Sequence, residues 1–287
     1  MSAANGNPNG TTNDDADDSS YDLETELIIE ALYQKYRYDF RLYARSSVKR
    51  RLQHALGRFH CPTISHLQAR LLHEPGFLHE LIDILTVPTT EMFRDPSYFA
   101  ELRTTVVPFL KTFPSLKIWI AGCSTGEEVV SFAILLKEEN LLEKTTIYAT
   151  DINPRVLEEA SRGIYDTETI KRATLNYREA GGNGMISDYF SVAYGSARVD
   201  PKLLKNVVFS DHSLATDAVF GEMHLVSCRN VLIYFDRPLQ NRATTLFKDS
   251  LVRGGFLGLG SRESLRFLDP APAFKTISES QRLYQKS

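Results

Sequence analysis

The pair Arg229-Asn230 stands inside a largely apolar run from Val226 to Phe235. A strand buried on both faces reads as near-continuous Val, Ile and Leu, so polar groups at its end need a reason. In open α/β sheets the usual reason is a ligand outside the carboxyl ends of the strands. The alternative is an Asn that caps the next turn and an Arg on the rim. A second constellation, Gly122-Cys123-Ser124-Thr125-Gly126-Glu127-Glu128, follows the apolar Ile118-Trp119-Ile120 and opens a helical pattern. Gly122 and Gly126 permit a tight turn and close backbone approach, and a helix start presents unpaired N–H groups. A phosphate would suit that site, but Glu127 and Glu128 would repel it, and the Gly-x-Gly-x-x-Gly fingerprint is absent. The acidic start suits a cationic cofactor such as S-adenosylmethionine, whose sulfonium and amino group are both positive. The same acids also suit the helix dipole with no ligand at all. Asp151 closes a second strand 25 positions after Gly126, where a carboxylate accepts hydrogen bonds from ribose hydroxyls. Asp-x-Asn-Pro is equally good turn chemistry. The three constellations together indicate a nucleoside-bearing ligand.

These residues need a parallel sheet to bring them together, and strands alternate with helices from about Thr86 onward. Strands are expected at Leu116–Ile120, Thr145–Ala149, Val207–Phe209, Met223–Ser227, Phe256–Leu259 after a Gly254-Gly255 turn, and near 281–284. Helices are expected at Glu127–Glu139, from Pro154, and at Pro238–Leu251. Gly181-Gly182-Asn183-Gly184 reads as a flexible loop. Tyr189–Val192 and Ala197–Val199 read as a small hairpin about Tyr194-Gly195-Ser196, an insertion at about 186–206. Before the sheet, 22–85 reads as a compact helical domain, with Leu27, Ile28, Ala31, Leu32 and Tyr36 at helical spacing. Residues 86–110 form a linker and active-site segment, and 111–287 the second domain. Residues 1–21 are rich in Asn, Asp, Gly and Ser, lack any basic residue, and are expected to be a disordered acidic tail.

A net charge of −3 gives no global attraction to nucleic acid. No apolar run reaches membrane-spanning length, and the N-terminus lacks a signal-peptide pattern. Cys61, Cys123 and Cys228 are scattered and odd in number, which fits a reducing cytoplasm. No Cys/His group has zinc spacing. Locally the balance differs. Residues 35–58 hold eight Lys or Arg against the single acid Asp39. Ser46 or Ser47 is the expected N-cap of a helix there. Val48, Leu52, Ala55 and Phe59 lie in one arc, with Arg50, Arg51, His54 and Arg58 on the other side. That face is expected to dock an acidic partner through Arg50, Arg51 and Arg58, although most charge runs are simply solvated.

The ordered segments Thr86-Val87-Pro88-Thr89-Thr90-Glu91-Met92-Phe93-Arg94-Asp95, Ala121–Glu128, Thr150-Asp151-Ile152 and Cys228–Phe235 resemble those of the CheR-type chemoreceptor glutamate methyltransferases. The resemblance implies an α/β fold. A class I, Rossmann-like S-adenosylmethionine-dependent methyltransferase domain follows an all-α N-terminal domain and carries a small inserted antiparallel β-subdomain. It implies that Thr90, Arg94, Gly122, Glu127, Asp151, Ser213, Leu214, Arg229 and Asn230 contact the cofactor. Within that set, Glu127 takes the methionyl amino group, Asp151 the ribose and Ser213-Leu214 the adenine. Arg94 and Tyr234 would serve catalysis at the reacting carboxylate. The substrate would be glutamate side chains on the cytoplasmic domain of methyl-accepting chemoreceptors, with S-adenosylhomocysteine as the other product. Pro88 and Ser213 stand where Asn is common in the family. The hairpin at Gly195 is short, so binding of a receptor's C-terminal tether peptide by strand addition is not expected. A monomer without membrane insertion is expected. The competing readings are a cofactor-binding signalling module without turnover and a nucleic-acid methyltransferase. The latter would need prolines that Arg229-Asn230-Val231-Leu232 lacks.

Overall fold

The computed structural model describes residues 13–86 and 89–287, and the chain divides into two compact units after Leu85. The first unit is all-helical: α1 (Asn13–Tyr36), α2 (Arg45–Phe59), α3 (Ile64–His73) and α4 (Phe77–Thr86). Helix α1 begins inside the expected tail, so residues 13–21 are helical, while 1–12 lie outside the described residues. The helix is anchored from Tyr21 onward. The Tyr21 hydroxyl donates to Lys49 O, and the Thr25 hydroxyl donates to Tyr21 O. Extending an anchored helix backward avoids the cost of a new nucleus. Ile28, Leu32, Val48, Leu52, Ala55, Leu67 and Leu81 meet in one apolar core.

Two expectations for α2 fail. The helix starts at Arg45 behind Ala44, without a side-chain cap, and Ser47 is buried in its first turn. Arg51 is also buried, 4% exposed, and its guanidinium donates to Leu85 O. It lies between Ser47 and Ala55, both buried, so position 51 falls on the edge of the packed face. Arg51 therefore leaves the docking set, whereas Arg50, His54 and Arg58 are exposed.

In the second unit, α5 (Pro96–Glu101) runs through a π-helical turn (Leu102–Val106) into α6 (Val107–Leu110). The missing N–H of Pro108 accompanies that local widening. Then come β1 (Leu116–Ala121), α7 (Glu127–Glu138), β2 (Thr145–Asp151), α8 (Pro154–Arg162), β3 (Ile164–Asp166) and α9 (Thr167–Glu179). They are followed by β4 (Phe190–Ala193), β5 (Ser196–Val199), α10 (Pro201–Leu204), β6 (Val207–Asp211) and β7 (Met223–Cys228). Helix α11 (Arg237–Ser250), β8 (Leu251–Leu259), β9 (Phe274–Ser278) and β10 (Leu283–Lys286) complete the unit.

Seven strands form one sheet in the order β6-β2-β1-β7-β8-β10-β9. Strands β6, β2, β1, β7 and β8 are mutually parallel, and β10 runs antiparallel to both β8 and β9. The connection from β1 leads to β2 on one side, and β7 lies on the other. The strand order therefore reverses between β1 and β7, and a crevice opens at their carboxyl ends. Helix α7 packs Val129, Val130, Phe132, Ala133 and Leu136 into the core against Ile118, Ile120 and Ile147. The sheet, its helices and the insertion together make the class I, Rossmann-like methyltransferase fold.

Three local features differ from expectation. Strand β8 runs unbroken through Gly254-Gly255. Gly254 takes φ +77 there, and the register with β7 shifts between Met223 and Leu225. The glycines thus mark an irregularity inside a strand rather than a turn before it. The hairpin β4–β5 gains a third strand, β3, giving a separate sheet in the order β3-β5-β4. The Gly181–Gly184 loop is tied down. Gly182 donates to Tyr177 O, Asn183 to Glu138 Oε1 at 3.1 Å and Gly184 to the Tyr177 hydroxyl at 3.1 Å. A Cβ on Gly182 would lie 2.3 Å from the Tyr177 ring.

Candidate active site

The loop after β1 forms one wall of the crevice. Its amides at Gly122 and Cys123 both donate to Thr150 O, at 2.8 and 2.9 Å. Ser124 takes φ +51, and its amide donates to Asp151 Oδ2 at 2.9 Å. Asp151 Oδ1 accepts from Asn153 N at 3.0 Å, and Asn153, not Asp151, caps α8 by accepting from Arg155 N. Each carboxylate oxygen keeps a further lone pair for a ligand. Burial raises the Asp151 pKa, and the backbone donors only partly offset it. The tight glycines serve protein neighbours. A Cβ on Gly122 would meet Val231 Cγ2 at 2.4 Å, and one on Gly126 would meet Ala160 Cβ at 2.8 Å. Gly122 thereby lets the loops after β1 and β7 close on each other, while Gly126 seats α8.

Glu127 begins α7 and is buried, with Oε2 accepting from the Thr125 hydroxyl at 2.7 Å. Burial raises its pKa, and no cation is paired with it among the described residues. A buried carboxylate without a cation is costly, and a positively charged ligand group would relieve that cost. The hydroxyls of Ser124 and Ser213 are also buried without partners. The Ser213 amide donates to Asp217 Oδ2 at 2.9 Å, and Leu214 is buried beside it. A buried and a half-buried carboxylate, with two orphaned hydroxyls, all at or just beyond strand ends, fit a cationic nucleoside cofactor.

The segment before the sheet supplies the opposite wall. Phe93 and Asp95 both take left-handed backbone, φ +51 and +54, on either side of Arg94. Such strain persists only when the surroundings impose it. Here Phe93 is fully buried among the Phe99 and Tyr177 rings, and its amide donates to the Ser131 hydroxyl at 2.8 Å. Arg94 is left half-buried with one long contact, 3.5 Å to Thr89 O. Its acidic neighbours are engaged elsewhere, Asp95 with Arg229 and Glu91 with Asn176. Thr90 is half-buried, and Val87 and Pro88 lie outside the described residues.

Arg229, expected to border the cofactor, turns its side chain into the protein. The side chain is 1% exposed and pairs with Asp95 at 2.7 Å and Glu128 at 3.2 Å. It also donates to Arg94 O at 2.8 Å and lies 4.3 Å from the centre of the Tyr98 ring. Glu128 accepts in addition from the Ser227 hydroxyl at 2.7 Å. Arg229 is therefore a brace that ties the Arg94–Asp95 segment to the end of β7 and the start of α7. Asn230 follows with φ +62, and a short 3-10 turn, Leu232–Tyr234, presents the half-buried Tyr234.

Sequence reasoning missed two supports. Glu128 is expected as part of an acidic helix start that suits a cationic cofactor or the helix dipole, not as the partner of Arg229 and Ser227. Glu263 was not singled out at all, yet it is 4% exposed and accepts from Asn230 N, Ile233 N and Gly260 N. The signal available was an acid three residues after Gly260 at the carboxyl end of an apolar strand, which is too common to select.

This sheet order and this crevice define an S-adenosylmethionine-dependent methyltransferase. The CheR methyltransferase SAM-binding domain matches residues 88–282, and the CheR methyltransferase all-alpha domain matches 23–86. The chain is 55% identical to the "Putative methyltransferase Cher3" of Pseudomonas putida over 93% of this chain and 97% of that protein. It is 29% identical to the "Chemotaxis protein methyltransferase" of Listeria monocytogenes over 81% of this chain and 86% of that protein. It is 31% identical to "Chemotaxis protein methyltransferase 2" of Vibrio cholerae, over 72% and 73%. The chain belongs to the CheR methyltransferase family. Among the described residues no helix is long and apolar enough to cross a membrane.

Proposed function

We propose that the chain methylates glutamate side chains on the cytoplasmic domain of chemoreceptors, giving methyl esters that adjust receptor signalling. The observation that carries this reading is Arg94. It is a half-buried guanidinium, held between two left-handed residues, with no carboxylate partner among the described residues. The names of the Listeria and Vibrio relatives support a place in chemotaxis.

S-adenosylmethionine supplies a methyl group on a positively charged sulfur. Glu127 holds the cofactor's amino group, Asp151 its ribose, and Ser213 with Leu214 its adenine, while Thr90, Gly122 and Asn230 line the cleft. Arg94 holds the receptor carboxylate by a charge-assisted hydrogen bond, and Tyr234 orients it. That carboxylate is ionised at neutral pH, so no general base is required. The protein contributes alignment and exclusion of water. The exposed Arg50 and Arg58 on α2 make no ion pair among the described residues, whereas Lys49 pairs with Asp22 and Arg45 with Glu26. Arg50 and Arg58 dock the acidic face of the receptor. Strands β4 and β5 have four residues each, which supports recognition without a tether peptide. The protein acts in the cytoplasm as a monomer.

The test is methyl transfer from radiolabelled cofactor to receptor-containing membranes. Base-labile label on a receptor band, lost in Arg94→Ala, is expected. Cofactor binding without transfer to any receptor would instead favour a docking module.

A further inference from the structure

Glu263 lies in the loop after β8, outside the cofactor-binding set. Its Oε2 accepts from Asn230 N at 3.0 Å and Gly260 N at 2.6 Å, and its Oε1 from Ile233 N at 3.3 Å. No Lys or Arg pairs with it among the described residues. A buried carboxylate neutralised only by backbone amides is an expensive device. An apolar replacement would leave three amides without acceptors, which is also costly. The local chain is shaped around this arrangement. A Cβ on Gly260 would fall 2.7 Å from Asn230 N and 2.8 Å from Glu263 Oε2. The two clamped amides at 230 and 233 bracket the step from the left-handed Asn230 into the turn that carries Tyr234.

We infer that Glu263 is a positioning residue for methyl transfer: its carboxylate clamps the loop after β7 and so fixes Tyr234 against the reacting carboxylate. The inference rests on the reading of Tyr234 given above. Glu263 itself touches neither cofactor nor substrate. Glutamine in its place keeps the shape but turns one acceptor into a donor that faces an N–H. The loop then loses its fixed geometry while the β1–β2 side of the site stays intact.

The experiment uses the full chain with Glu263→Gln, Tyr234→Phe and the double variant. Hydrogen exchange is read at the amides of Asn230, Ile233 and Gly260. S-adenosylhomocysteine affinity, and kcat and KM for receptor methylation, are measured alongside. Glu263→Gln is expected to speed exchange at those amides about tenfold, the size of one lost charge-assisted hydrogen bond, with β1 and β2 amides unchanged. The same variant should lower kcat about tenfold while KM and the S-adenosylhomocysteine Kd move less than about threefold. In the Tyr234→Phe background the loss should shrink, as for residues acting as one unit. Unchanged exchange, or an equal kcat loss in both backgrounds, overturns the inference. So does a parallel fall in kcat, affinity and thermal midpoint, which is the signature of a merely structural role. Should Glu263→Gln not fold, Glu263→Asp, which keeps the acceptors but shortens their reach, is judged by the same criteria. Wild-type protein that binds S-adenosylhomocysteine yet methylates no receptor sinks the reading on which the inference rests, and the inference with it. Normal wild-type turnover that is insensitive to Glu263→Gln overturns the clamp alone.

Discussion

Two loops meet in the crevice, and each is held by a carboxylate at or beyond the end of a neighbouring strand. Asp151 grips the loop after β1 through Ser124 N, and Glu263 grips the loop after β7 through Asn230 N and Ile233 N. Burial raises the pKa of both acids. Their duties differ. Asp151 takes one loop amide and amides of its own turn, and keeps acceptor capacity for a ribose. Glu263 spreads both oxygens over three amides of two chain segments. A carboxylate at this fold's crevice can therefore bind a ligand and shape a loop together, or shape a loop only. Neighbouring donors decide which.

The comparison breaks most sharply at Asp151. Asp151→Ala should weaken S-adenosylhomocysteine binding about a hundredfold, the size of losing the two charge-assisted hydrogen bonds proposed to the ribose along with the loop anchor. Calorimetric titration giving less than about a tenfold change would reduce Asp151 to the structural role of Glu263. Next in size is Arg229→Ala, which leaves Glu128 and Asp95 without their shared cation. A loss of about 3 kcal/mol in urea unfolding is expected. A loss below about 1 kcal/mol would mean the brace is not needed for stability.

Acid–base behaviour gives a smaller effect. A carboxyl whose pKa is raised on folding binds its proton more tightly in the folded state. Its contribution to stability is therefore full at low pH and declines as pH rises from the ordinary carboxylate value to the raised one. Asp151, Glu127 and Glu263 all act in this sense. Glu138 acts in the opposite sense. Burial pushes its pKa up, but hydrogen bonds from Tyr177, Arg103 and Asn183 outweigh it and lower the value. Its stabilisation is present above the ordinary glutamate value and is lost as pH falls toward the lowered one. Urea midpoints followed upward from about pH 4 should decline less in Glu263→Gln than in wild type. Parallel curves would show that Glu263 does not titrate differently on folding. The smallest effect belongs to Arg50→Glu in the first unit. Receptor methylation should fall about three- to tenfold with cofactor affinity unchanged, as for a rim charge. Arg51→Glu, by contrast, buries an acid and should destabilise the helical unit, visible as a lower thermal midpoint.

How much of this was legible depended on how far each residue's partners lie along the chain. The loop after β1, the helix at Glu127 and the strand end at Asp151 are contiguous, and their turn and cap chemistry is local, so the sequence displays them. Arg229 was visible as an anomaly in an apolar strand end. Its duty was not, since Asp95 and Glu128 lie more than a hundred positions away. Arg51 sat among basic residues whose shared charge hid its place at the edge of the packed arc. Strand β9 went unseen because Phe274–Ser278 alternates weakly and acquires its meaning only beside β10. Glu263 looked like any polar loop residue, because what distinguishes it is three backbone amides, and backbone has no letter in a sequence.

The reversal of strand order between β1 and β7 also fixes when this crevice comes into being. Its first wall is made by residue 126, but the facing strand begins only at Met223, and the clamp at Glu263 comes later still. During synthesis, domains fold largely as units from the N-terminus, so a growing chain carries an open half-cleft for roughly a hundred residues before its other side emerges. The strands made last thus complete the site that the first ones begin.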